Sequence, residues 1–196
     1  QGVLILGAHS WARAVAAALK EAGFEVLLAD TNRNKVRVAR MEGLDAHHGS
    51  VLAEEFQERV DLGGKGRMLA LTSNSGVNSL AALELAPIFG RSEVYQLCAD
   101  SDPTDEPIPP HLRGRLLFDG GLDFWEIDAK FRSGYVVKRT NLTDEFDLEA
   151  WRERYGEGAV PLFSVRADNT LRIFTAEEEA EPKAGEALLG LVPGEA

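Results

Sequence analysis

The stretch Val3-Leu4-Ile5-Leu6-Gly7-Ala8-His9-Ser10-Trp11-Ala12, followed by Val26-Leu27-Leu28-Ala29-Asp30, decides the fold. Four apolar residues make a short strand of the kind buried on both faces of a parallel sheet. Gly7 supplies a tight turn, a helix begins, a second strand follows, and that strand ends on an acid. This is the layout of a dinucleotide-binding βαβ unit. The unit also breaks its own pattern. In G-x-G-x-x-G the second glycine lets a pyrophosphate come close to the backbone, and here His9 stands in that place. Ala12 fills the third position, which the pattern tolerates. His9 can crowd a pyrophosphate out or hydrogen-bond to a single phosphate. Two readings stay open at this point: a working phosphate-binding turn, or a scaffold that no longer binds anything.

Outward from this unit the chain alternates strand and helix. Ser10 is expected to cap the first helix, with Ala12, Val15, Ala16 and Leu19 on one face and Gly23 at its end. Residues 24–29 form the second strand, and Thr31 or Asn32 caps a helix over 35–42, closed by Gly43. A third strand spans 45–47. Ser50 is expected to cap a helix carrying Leu52, Phe56 and Val60. Residues 67–71 make a fourth strand, 72–76 its loop, 77–86 a helix ending near Pro87, and 93–98 a fifth strand. Residues 100–110, with Pro103, Pro107, Pro109 and Pro110, read as a linker, and 115–118 as a sixth strand. Beyond Gly120-Gly121 the pattern is mostly β. Strands are expected over 134–139, 161–166, 170–174 and 187–192, with a turn at Ala167-Asp168-Asn169 and one short helix over 148–155. The fold class is α/β: a Rossmann-like, doubly wound parallel sheet over 1–121, then a small β-rich α+β subdomain over 122–196.

Composition narrows the function. The 196 residues carry 21 Lys and Arg against 32 Asp and Glu, a net charge of −11. With the arginines scattered singly, that balance disfavours nucleic acid. Cys98 is the sole cysteine, so a disulfide framework and zinc-type cysteine spacing are both excluded. No apolar run is long enough to span a bilayer, and nothing reads as a signal peptide. The first strand starts almost at Gln1, which suggests a piece of a longer polypeptide.

The chemistry-bearing residues gather at the expected carboxyl ends of the strands. Gly7 places the first helix N-terminus where its backbone N–H groups suit a phosphate, and Arg13, a turn further on, can help neutralise an anion. Asp30 lies where a carboxylate accepts hydrogen bonds from adenosine ribose hydroxyls, or else is an ordinary strand-end acid in an Asp-Thr-Asn helix cap. An acid there suits NAD or an adenosine ligand better than NADP, a preference that Arg33 nearby softens. His47 and His48 are adjacent, so in a strand they face opposite ways and are poor partners for one metal. Cys98 reads as a small core residue. No catalytic residues and no metal site are expected. The Tyr-x-x-x-Lys pairing of a short-chain dehydrogenase is absent, since Tyr135 and Lys138 are one residue too close.

Taken in order, Leu4 through Arg13, Leu28 through Asn32, Gly43-Leu44, His48 through Leu52, Leu69 through Asn78 and Glu93 through Leu97 resemble the regulator-of-K-conductance (RCK) family, also called TrkA-N domains. More narrowly, the chain is similar to the cytosolic C-terminal region of bacterial Na+/H+-type cation:proton antiporters. The Pro182-x-x-Gly185-Glu186 stretch before the last strand is similar to the small subdomain that often follows. The resemblance implies a regulatory, non-enzymatic domain on the cytoplasmic face of the membrane. It would form a homodimer, be joined to a membrane transport domain of the same polypeptide, and bind NAD(H) or an adenine nucleotide such as AMP, ADP or ATP. It carries ligand contacts onto Gly7, Ala8, His9, Ser10 and Trp11, with Arg13 beside them. Further contacts fall on Asp30, Thr31 and Asn32, on Gly49 and Ser50, and on Thr72, Ser73 and Asn74. The chain departs from the family pattern at His9, Ser50 and Ser75-Gly76, where Gly, Asp and an acidic pair are usual. An NAD-dependent oxidoreductase and a vestigial scaffold serving only oligomerisation are the alternatives.

Overall fold

The structure, a computed structural model, describes residues 2–100 and 106–195. Gln1 and the part of the expected linker that holds Pro103 lie outside the described residues. The chain packs as two compact units, Gln1–Arg115 and Leu116–Ala196.

In the first unit, β1 (Gly2–Leu6), α1 (Ser10–Glu21), β2 (Val26–Asp30), α2 (Arg33–Met41), β3 (Asp45–His48), α3 (Glu54–Arg59), β4 (Lys65–Ala70), α4 (Ser75–Phe89) and β5 (Val94–Leu97) follow in order, and β6 (Arg115–Leu117) begins at the boundary residue Arg115. The sheet order is β3-β2-β1-β4-β5-β6, with parallel pairing from β3 through β5. The expected α/β class is thus observed. Apolar runs became interior strands because helices cover both faces: every residue of β1 is buried, and Val3, Leu4 and Ile5 are fully so. The chain leaves β1 toward β2 on one side and returns through β4 on the other. That reversal makes the carboxyl ends of β1 and β4 the topological switch point, where open α/β sheets bind ligands.

Two local expectations are corrected. His9, not Ser10, caps α1, and Ser10 is its exposed first residue. The imidazole reaches the Ala12 N–H, so the serine hydroxyl is not needed. Ser50 does not cap α3. Its hydroxyl accepts from the Leu52 N–H in a turn before the helix, and Ala53 stands at the N-cap without a side-chain bond. Leu52 consequently points outward and Phe56 alone of the expected apolar series is buried. Asn32 and Asn74 cap α2 and α4 with their side-chain oxygens.

The second unit holds α5 (Phe124–Arg132), β7 (Tyr135–Asn141), α6 (Leu148–Tyr155), β8 (Val160–Val165), β9 (Leu171–Ile173) and β10 (Ala187–Pro193). Its antiparallel sheet runs β7-β10-β8-β9. Helix α5 departs from the mostly β expectation. Its signal was legible in the sequence as a capping box: Asp123 accepts from the Glu126 N–H while Glu126 accepts from the Asp123 N–H. A core of Leu142, Trp151, Phe174, Ala180, Leu188 and Val192 belongs to this unit alone. Asn169 takes the left-handed conformation (φ 62°) in the β8–β9 turn.

Candidate functional site at the strand crest

Gly7 ends β1 at φ +110°, a conformation that favours glycine. The sheet carries on past the turn through backbone bonds: Gly7 N–H donates to Ala29 (2.8 Å) and Leu71 N–H to Leu6 (2.9 Å). Over this turn lies His9. Its Nδ1 accepts from the Ala12 N–H (3.3 Å), and its Nε2 sits 2.6 Å from the Leu71 carbonyl oxygen. A carbonyl only accepts and a backbone N–H only donates, so the ring proton is on Nε2 and the imidazole is neutral in this arrangement. The ring also meets Trp11 edge-on at 4.4 Å, and Trp11 is 1% exposed. A Cβ placed on Gly7 would lie 3.4 Å from the nearest imidazole atom. The ground that the second fingerprint glycine leaves open for a pyrophosphate is therefore taken by a side chain that bridges β1, α1 and the end of β4.

Asp30 is engaged as well. One carboxylate oxygen accepts from the Ala8 N–H (2.8 Å) and the other from the Asn32 N–H (2.8 Å). Its carbonyl accepts from the Gly49 N–H (3.0 Å), and His48 donates from Nε2 to the Thr31 carbonyl (3.0 Å). The Gly49-Ser50 turn is so held beside the end of β2. On the other flank, the amide group of buried Asn78 accepts from the Thr72 N–H and donates to the Thr72 carbonyl (3.0 Å). Asn74 accepts from the Val77 N–H, and Ser73 is exposed.

The structure thus brings together the Gly7–Trp11 turn, Asp30 to Asn32, Gly49-Ser50 and the 72–74 loop along one crest. It assigns Arg13 elsewhere: the guanidinium donates to the Ala8 carbonyl (2.9 Å) and pairs with Glu42 (2.9 Å), so it steadies the loop rather than facing an anion. Cys98, expected in the core, is only partly buried beyond β5. Asn78 and the Leu71 carbonyl are the participants least visible in sequence, since nothing in a run of residues marks a backbone oxygen as the partner of a distant imidazole. His47 and His48 face different partners, Phe56 and Thr31. Among the described residues no cluster of His, Cys, Asp and Glu could hold a metal ion, and no helix is long and apolar enough to cross a membrane.

These groups fit one part of an adenine nucleotide better than another. The Asp30 carboxylate, half-exposed at the end of β2 beside the Gly49-Ser50 turn, suits an adenosine ribose. His9 stands over Gly7, where a dinucleotide pyrophosphate approaches the backbone in the fingerprint pattern.

Solved structures share the architecture. The NAD(P)-binding domain of an exopolyphosphatase-related protein from Archaeoglobus fulgidus aligns with 66% of this chain and 93% of its own, at 22% identity and TM-score 0.50. The GsuK RCK domain aligns with 97% of this chain at 10% identity and TM-score 0.51, and the GsuK channel bound to NAD does so at the same values. This chain spans 45% and 37% of those two. No curated protein sequence matches it. The profile described as "TrkA-N domain" matches residues 3–104.

Proposed function

The chain belongs to the TrkA-N domain family, and from that premise we propose that it is a regulatory, non-catalytic module that senses an adenine nucleotide for a monovalent-cation transporter. The observation that carries the reading is the state of the crest. Its polar groups are bonded to the crest itself: Asp30 to Ala8 and Asn32, His9 to Ala12 and Leu71. A nucleotide seats here by exchanging those bonds for its own, which rearranges loops at the ends of β1, β2 and β4. Such an exchange gives a protein two arrangements that a ligand can bias, by no more than its differential affinity for them.

In this reading, Asp30 takes the ribose hydroxyls, the α1 N-terminus and His9 meet a phosphate, and the 72–74 loop closes the other side. The transport domain is joined to this polypeptide at the cytoplasmic face of the membrane, two copies associate, and the transporter is of the cation:proton antiport type. The last element rests on the resemblance at Leu4–Arg13 and Leu69–Asn78. Calorimetry with NAD+, NADH, AMP, ADP and ATP, beside sedimentation of the ligand-free and liganded protein, tests it. The expected result is saturable binding of at least one adenine nucleotide, a dimer, and no turnover of NAD(P)H with carbonyl compounds. Absence of binding by the whole panel, in the wild type and in His9→Gly alike, overturns it.

A further inference from the structure

A second place on the first unit gathers positive charge. A groove of about 530 Å³ runs along one face of α2 and is lined by Arg33, Val36, Arg37, Arg40, Met41 and His48. The helical residues recur at three- and four-residue steps, so they share a face. From Arg33, next to Asn32 at the crest, to Met41 the face extends about 12 Å at 1.5 Å per residue, leading away from the crest along the helix. A chain of net charge −11 here presents three guanidiniums and an imidazole, and no carboxylate lines the groove.

Two of the three arginines, Arg37 and Arg40, are held without being neutralised. Arg40 donates from Nε and Nη2 to the Ala46 carbonyl (3.0 and 2.8 Å), which fixes it against the edge strand β3. Arg37 donates to the Asn34 side chain (2.7 Å). Among the described residues no carboxylate pairs with Arg33, Arg37 or Arg40. Glu42, at the end of the same helix, is drawn to Arg13 instead. The local field is felt on the far face of β3. Burial holds His47 below the ordinary imidazole range, and the charges of Arg40, His48 and Arg59 lower it further.

The groove is not purely ionic. Val36 is buried as its floor, and Met41 is 81% exposed, an unusual outlay of apolar surface on an otherwise polar helix. Guanidinium forks match phosphate oxygens bidentately, and a thioether packs well on a flat ring. The volume lies within the range of small-molecule sites, ~300–1,000 Å³.

We infer that this groove, which starts beside Asn32 and runs along α2 to Met41, is a second ligand site for a phosphate-bearing small molecule with an aromatic body, of which a mononucleotide is the model. Phosphate is taken by Arg33, Arg37 and Arg40, and the ring lies on Met41.

The chain offers a clean reporter. It has two methionines, Met41 in the groove and Met68 buried in the core. Protein labelled at the methionine methyl groups is titrated with AMP, adenosine and inorganic phosphate and followed by NMR. AMP should shift the Met41 methyl saturably and leave Met68 in place. Adenosine should do so at least tenfold more weakly, and inorganic phosphate should compete with AMP. The double variant Arg33→Ala/Arg37→Ala, on exposed helix positions, should weaken AMP at Met41 at least tenfold while Met68 keeps its native shift. A Met41 signal that AMP does not move, or moves equally in the double variant, overturns the site. If calorimetry still detects AMP in that event, the ligand sits at the crest, and the crest reading survives without this one.

Discussion

Replacing His9 by alanine removes two bonds at once, the cap on Ala12 and the tie to the Leu71 carbonyl. A lost N-cap costs about 1 kcal/mol, and a typical net hydrogen bond about another 1 kcal/mol. His9→Ala should therefore lower stability by about 2 kcal/mol in urea unfolding. His9→Gly restores the fingerprint glycine and vacates the space over Gly7. NAD+ should then bind at least tenfold more tightly than to the wild type by calorimetry; unchanged affinity would mean that His9 does not exclude the pyrophosphate. His47 sets a pH dependence of definite sign. Its pKa in the fold is below the usual 6.5, mainly because of burial and then because of Arg40. Between those values the unfolded chain binds more protons. Its contribution is complete above 6.5 and is lost as pH falls through the lowered value. His47→Gln should flatten the acid limb of the stability curve below pH 6.5.

Among the elements, β10 and α6 show how a glycine can decide a core. A Cβ on Gly190 would overlap the ring of fully buried Trp151, so the strand is bare there to let the indole lie on it. Gly190→Ala should cost about 1–3 kcal/mol by overpacking. Hydrogen exchange should show protection lost in β7, β8 and β10 and retained in β1, β2 and β4; uniform loss would mean that the two cores do not open separately. Asp123 tests α5. Asp123→Ala breaks both halves of the capping box and should destabilise the second unit by about 1 kcal/mol. Helix α4 was legible as a helix but not in its extent. Pro87 lies inside it, and the helix runs on to Phe89 past the residue expected to end it.

At the scale of the whole molecule, 32 acidic against 21 basic residues leave a net repulsion that salt screens. Raising ionic strength from about 10 to 150 mM should raise Tm, and a fall in Tm would mean that attractive pairs dominate. The same charge makes the α2 groove conspicuous, since its arginines are few and gathered. Sequence periodicity placed β1 through β5 and their helices, and the Gly7 and Asp30 punctuation placed the crest. Those features follow from burying apolar runs and from backbone turns, which neighbouring residues dictate. The α5 helix was hidden behind two glycines and a short apolar pattern, although its capping box was written in four residues. Ser10 and Ser50 looked like caps because serine commonly is one, yet which group reaches an orphan N–H depends on the turn around it. By itself, then, the sequence determined the α/β class, the succession of strands and helices in the opening unit and the end of the sheet that carries Gly7 and Asp30. Only the tertiary structure decided that His9 closes that end, by meeting a carbonyl 62 residues away. It alone decided that Asp30 holds the Gly7 turn and that no carboxylate lines the groove along the three arginines of α2. Hydrogen bonds and fields act over a few ångströms, and which groups come that close is fixed only when the sheet assembles.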